Sequence, residues 1–202
     1  TFARFRFSTA GGLPFDGPAQ DGEVEDYEVY IEEQPEEWDF GDAPDQPYPT
    51  LLVNNGARHK LGSNLFLGAS VDPEPDGQPN ANATGDDNDG NDDEDGVSFT
   101  TTLLPGRVAS VQVVLTDTSG AGGVLDAWID WNGDGDWSDA NERVVIGQSL
   151  TPGVNNLQVR GPSGPTVVHG TTTGRFRLSR AGVTGFTGLA PDGEVEDHIV
   201  GI

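Results

Sequence analysis

The chain has 202 residues, enough to bury a core, and its 34 acidic against 10 basic side chains give a formal charge of −24. A field of that sign repels phosphate backbones and anionic bilayers, so neither nucleic acid nor membrane insertion is expected, and the lack of cysteine excludes disulfides, zinc thiolates and thiol nucleophiles. Twenty-nine Gly, 14 Pro and a single lysine suit short strands joined by turns better than long helices, and no apolar run reaches the roughly 18 residues of a membrane span.

In chain order, the first feature is a repeat. Residues 1–31 align without a gap on residues 172–202, with 18 of 31 positions identical. Arg4-Phe5-Arg6 matches Arg175-Phe176-Arg177, and Asp21-Gly22-Glu23-Val24-Glu25-Asp26 matches Asp192-Gly193-Glu194-Val195-Glu196-Asp197. Residues 1–31 therefore read as the C-terminal strands of a preceding repeat, Arg4–Ser8 and Val24–Ile31, and the chain as an interior or processed piece of something longer. Residues 32–38, which include Pro35 amid Glu32, Glu33, Glu36 and Glu37, read as a short, self-repelling linker.

Residues 39–98 form an Asp/Gly/Pro-rich N-terminal segment of the repeat, with brief apolar stretches at Leu51–Val53 and Leu65–Leu67 that offer short strands at most. Residues 99–202 carry the clearer pattern. Ala109, Val111, Val113 and Leu115 alternate with polar neighbours, and Leu125, Ala127, Ile129 and Trp131 alternate with Asp126, Trp128 and Asp130, the period of half-buried strands. Further strands are expected at Val97–Thr100, Arg143–Ile146, Asn156–Arg160, Thr166–His169, Arg175–Ser179 and Val195–Ile202. The expected fold is all-β, an antiparallel β-sandwich of jelly-roll or immunoglobulin-like type with long acidic metal-binding loops. Glu194 and Glu196 share one face of the last strand, and Arg175 and Arg177 are expected to offset them across the sheet.

Two acidic constellations stand out. Asp130-Trp131-Asn132-Gly133-Asp134-Gly135-Asp136 places oxygen side chains at every second position around turn-forming glycines, the opening half of a calcium loop. An EF-hand would need Glu where Asn141 stands, with Glu142 one residue late, and no helical periodicity precedes Asp130. A Ca2+ loop between strands is therefore expected, with Asp130, Asn132, Asp134, Asp136 and Glu142 as ligands. Residues 85–96 hold seven acids, and no basic residue occurs from Leu61 to Gly106. Such a run is usually solvated or disordered. Its alternation and the strand that follows favour calcium on Asp86, Asp87, Asp89, Asn91, Asp93 and Asp95, with Asp72, Glu74 and Asp76 as supplements.

These residues carry a resemblance. Asp21–Asp26 and Asp192–Asp197, Arg4-Phe5-Arg6 and the loop from Trp128 to Asp136 are similar to the GEVED domain family, found near the C-termini of repeats in large bacterial surface proteins. Asp39–Asp45, Gly56–His59 and Asp76–Pro79 resemble a segment that often precedes such domains. The resemblance implies an extracellular, metal-stabilised β-sandwich with no assigned catalysis. Because Tyr27 stands where the later copy has His198, that position cannot carry histidine chemistry in every repeat.

The expected function is structural: a secreted or cell-surface tandem repeat of a filament or stalk, stabilised by calcium, whose partners are neighbouring repeats or subunits of the same protein, head to tail. An adhesin or carbohydrate-binding module is the alternative, with Trp38, Trp131 or Trp137 stacking on surface glycans if exposed. An enzyme is not expected. Carboxylate pairs and His59 or His169 imitate catalytic groups, but no G-x-S-x-G nucleophile motif is present.

Overall fold

β-Branched and aromatic residues set the architecture, and the described residues contain no α-helix, only one turn of 3-10 helix at Leu52–Asn54. The structure, a computed structural model, describes residues 1–32, 35–85, 93–164 and 167–202. It divides into two units, Thr1–Pro35 and Glu36–Ile202, at a boundary inside the acidic, proline-broken stretch.

The first unit is a hairpin of β1 (Phe2–Phe7) and β2 (Glu23–Glu28), with Arg4 opposite Asp26 and Arg6 opposite Val24. Its apolar side chains are uncovered, Phe5 being 62% and Phe7 68% exposed.

The second unit holds β3 (Trp38–Phe40), β4 (Arg58–Lys60), β5 (Leu65–Leu67), β6 (Val97–Phe99), β7 (Val108–Asp117), β8 (Gly123–Ile129), β9 (Arg143–Leu150), β10 (Gly153–Arg160), β11 (Thr171–Ser179), β12 (Leu189–Ala190) and β13 (Glu194–Gly201). One antiparallel sheet is built on β7, with β10 along one edge and β5 and β6 end to end along the other. Gly68 N–H donates to the carbonyl of Val114 and Val114 N–H to that of Gly96, so the excursion from 68 to 96 leaves and returns at one point. A second antiparallel sheet runs β13-β11-β8-β9. Ala109, Val111, Val113 and Leu115 from the first and Leu125, Ala127, Ile129, Phe176 and Leu178 from the second share one buried cluster. Burial of that apolar surface is the main favourable term in folding.

A small third sheet, β12-β4-β3, includes a parallel pair. β8 is buried on both faces: Asp126, Trp128 and the following Asp130, expected to be on the solvent side, are as inaccessible as Leu125, Ala127 and Ile129. Trp128 and Trp137 pack with Ala43 and Tyr48. Two expected strands are absent. Leu51–Val53 enters the 3-10 turn, and the described part of Thr166–His169 is irregular, held by a bond from Val168 N–H to the Trp131 carbonyl.

Arg175 and Arg177 do not offset Glu194 and Glu196, because the register puts them on opposite faces: Phe176 lies opposite Glu196 and Arg175 opposite Asp197. Arg175 makes a bidentate pair with Asp197, Nε to Oδ1 at 2.7 Å and Nη2 to Oδ2 at 2.6 Å, with both side chains fully buried. Arg177 donates to His59 Nε2 and to the carbonyls of Gly185, Thr187 and Gly188.

Gly193 turns the chain into β13 with φ of 88°, and a Cβ there would overlap the carbonyl of Leu178; Gly22, φ 94°, stands in the same relation to Phe7. Gly193→Ala should destabilise the second unit by about 1–3 kcal/mol, lowering Tm by about 2–4 °C per kcal/mol in a thermal melt. Gly185→Ala, where no atom crowds the new Cβ, should leave it unchanged.

Candidate metal centre

The loop from 130 to 142 joins β8 to β9, between strands. Alternate residues form a chain of Asx turns: Asn132 Oδ1 accepts from Asp134 N–H, Asp134 Oδ1 from Asp136 N–H and Asp136 Oδ1 from Ser138 N–H. Asp130 anchors the loop in the interior. Its Oδ1 accepts from Gly133 N–H, and its Oδ2 accepts from Gly135 N–H at 3.0 Å and from the Tyr48 hydroxyl at 2.7 Å. Burial and the Asp130 carboxylate push the Tyr48 phenol up to about 12, which keeps it a donor.

Carboxylate oxygens of Asp130, Asp134 and Glu142 all lie within 4.8 Å of one another. Glu142 is 1% exposed; its Oε2 accepts from Asp139 N–H, while Oε1 has no hydrogen-bond partner among the described residues. Burial, then the charges of Asp130, Asp134 and Asp139, raise its pKa to about 7. A hard divalent cation would relieve that repulsion, and oxygen-only donors are those calcium uses.

Of the other expected ligands, Asn132 borders the group, its amide nitrogen donating to Asp134 and Asp139. Asp136 is exposed and outside the carboxylate group. Asp139, not anticipated from the sequence, contributes charge next to Glu142. In the second acidic run, Asp86, Asp87, Asp89 and Asn91 lie outside the described residues. Asp95 is exposed and accepts from Ala69 N–H. Asp93 is buried away from the loop, grouped with Asp39 and Glu74. Asp76 caps Leu52 and Gly77 N–H.

The string from Gly193 to Asp197 does its work at the sheet edges. Glu194 Oε2 accepts from Leu67 N–H, and Glu196 Oε1 accepts from Gly96 N–H at 2.8 Å. Those amides flank the point where β5 ends and β6 begins, so the two glutamates stitch the β13 edge of one sheet to the broken edge of the other. Asp39 Oδ2 accepts from Val195 N–H, and Asp197 Oδ2 accepts from Ala43 N–H. Loop, turn and string all fall in one stretch. Residues 124–201 match the GEVED domain. No curated protein and no solved structure matches the chain. The GEVED match runs from β8 to β13 and contains the 130–142 loop; the amides that Glu194 and Glu196 bind lie outside it. Their role was hidden because those partners are 127 and 100 residues away in sequence. At the position after the string, His198 Nε2 hydrogen-bonds Glu196 Oε2 and Tyr27 hydroxyl donates to Glu25 Oε2, so the two residue types occupy one role.

Trp131 and Trp137 are each 2% exposed and Trp38 is half-buried, so the first two are closed to sugar stacking. Trp137 Nε1 donates to the carbonyl of Thr173.

In chelator, Glu142 with a folded pKa of about 7 against an ordinary 4.5 holds its proton in the native state. That contribution to stability is fully present below the unfolded value and is lost as pH rises through about 7. Glu142→Gln should therefore raise the metal-free Tm at pH 8 by several degrees and leave it nearly unchanged at pH 4, read by differential scanning fluorimetry.

Proposed function

We propose that the chain is part of a calcium-stabilised, non-catalytic tandem repeat of a secreted filament or cell-surface stalk, with its two larger sheets packed as a β-sandwich. The shared core of those sheets supports the sandwich reading. The observation that carries the repeat is the hydrogen bonding of the first unit. Arg4 forks onto Asp26 as Arg175 forks onto Asp197, and its Nη1 reaches the carbonyl of Phe15 as that of Arg175 reaches Phe186. Arg6 bonds the carbonyls of Pro14, Asp16 and Gly17 as Arg177 bonds those of Gly185, Thr187 and Gly188.

The equivalence ends at burial. Phe176 and Leu178 are fully buried against the opposing sheet, whereas their counterparts Phe5 and Phe7 are exposed. The partner that fits this face is a preceding repeat of the same protein, supplying counterparts of β5, β7 and β8; a covalent array is favoured over strand exchange between subunits because a linker joins the two copies. Calcium at Asp130, Asp134 and Glu142 suits an extracellular setting, where the ion is abundant. The non-catalytic reading is supported by His59, fully buried, with Nδ1–H donating to the Asp192 carbonyl and Nε2 accepting from Arg177, which can only donate.

Calcium at 100-fold over its Kd should stabilise the protein by about 2.7 kcal/mol per site, and Asp130→Ala should remove that gain for the loop site. Thermal melts in calcium and in chelator check it; equal Tm values would refute the calcium reading. Hydrogen exchange tests the repeat. Amides of β1 and β2 should exchange rapidly in isolated 1–202 and slowly in the native multi-repeat protein. Protection in an isolated monomer equal to that of β11 and β13 would show that the hairpin packs within its own chain.

A further inference from the structure

A second group of carboxylates lies apart from the 130–142 loop. Asp39 on β3 is 1% exposed, Glu74 5% and Asp93 3%, and one oxygen from each lies within 4.8 Å of the others. Each is held from a different direction. Asp39 Oδ2 accepts from Val195 N–H on β13; Glu74 Oε2 accepts from Phe40 N–H while its own N–H donates to the carbonyl of Trp38; Asp93 enters on the return of the 68–96 excursion.

The independent observation is Glu194. It is fully buried, one oxygen is committed to Leu67 N–H, and the other, Oε1, has no hydrogen-bond partner among the described residues. After burial, the charges of Glu196, Asp39 and Asp93 act on this side chain, and the neighbouring Val195 N–H is tied to Asp39. The long segment from Leu61 to Gly106 contains no Lys, Arg or His. The orphan oxygen of buried Glu194 demands a positive or donor partner, and an all-oxygen donor set selects a hard divalent cation.

We propose that Asp39, Glu74, Asp93 and Glu194 bind a second calcium ion, which fastens the first glutamate of the GEVED string to β3 and to the excursion that precedes β6. Three of these ligands lie outside the matched segment, so the site belongs to the complete repeat. Glu23 stands where Glu194 stands, and in a tandem array it would complete the same site in the preceding repeat.

Calcium stoichiometry of the full chain, measured by isothermal titration and native mass spectrometry, tests this site separately from the loop. Asp39→Asn combined with Glu74→Gln preserves both hydrogen-bond acceptors and should bind one equivalent fewer than wild type; Glu194→Gln should weaken that same equivalent at least tenfold. Glu142→Gln should remove a different equivalent. If the Asp39/Glu74 variant binds as many ions as wild type, the second site is refuted and the loop reading stands. If Glu142→Gln alone loses nothing, the loop reading falls and this site stands. Should the double variant fail to fold, manganese anomalous scattering from wild-type crystals decides: a peak among Asp39, Glu74 and Asp93 supports the site, and a peak only at Asp130 and Glu142 overturns it.

Discussion

The buried pair of Arg175 and Asp197 is the constraint on which the second unit depends. A guanidinium and a carboxylate removed from water are tolerated only if every donor and acceptor is met, because breaking such a pair typically costs about 3–5 kcal/mol. Here Arg175 bonds Asp197 through two nitrogens, reaches the carbonyls of Pro49 and Phe186 and the hydroxyl of Thr50, and lies 4.8 Å from the ring centre of Trp137. Asp197 in turn accepts from Ala43 N–H. One ion pair thus fixes the register of β11 on β13 and recruits loops more than a hundred residues upstream. The irregular stretch from 39 to 59 has a defined path because its backbone carbonyls and amides complete that pair.

The same logic explains where the negative charge goes. With no α-helix among the described residues, many loop amides lack backbone partners, and carboxylates take them. Asp45 accepts from Thr50 and Leu51, Asp126 from Gly147 and Val183, and Asp117 from Ser119 and Gly122 while also pairing with Arg180. The arginines beside them answer part of the charge. Among the described residues, carboxylates also gather at buried places around Glu142 and around Glu194, where burial and neighbouring carboxylates push both groups upward. His59 titrates in the opposite sense: burial and Arg177 hold it well below its ordinary value, so it resists the proton that the glutamates would retain. In the metal-free protein all three groups are neutral between the lowered His59 value and the raised glutamate values, and above that range the glutamate charges need a partner, which a divalent cation would supply without protons.

The two copies of the string separate local from tertiary causes. Arg4 with Asp26 and Arg175 with Asp197 have the same fork and register, one pair about half exposed and the other buried. Pairing of the strands therefore follows from turn glycine, alternation and complementary charge. Burial does not.

By itself the sequence determined what depends on near neighbours: the all-β class, the alternation of β7, the strands flanking the acidic loop, the repeat of residues 1–31 and the candidacy of Asp130, Asp134 and Glu142. Apart from the repeat, which comes from comparing two stretches of the chain, each is a local pattern of side-chain period or turn chemistry. Tertiary structure decided the rest. β3, β4 and β12 are too short to announce themselves, and exist because distant segments supply their partners. The inaccessibility of Asp126, Trp128 and Trp137 follows from coverage of the second sheet on both faces, which an alternating pattern cannot reveal. Glu74 and Asp93 were expected as calcium ligands of the acidic run, but nothing marked Asp39 as one, and Glu194 was expected to be offset by an arginine. Asp39, Glu74 and Asp93 come together only when stretches far apart in the chain meet, because a carboxylate's neighbours in space, not in sequence, fix its surroundings.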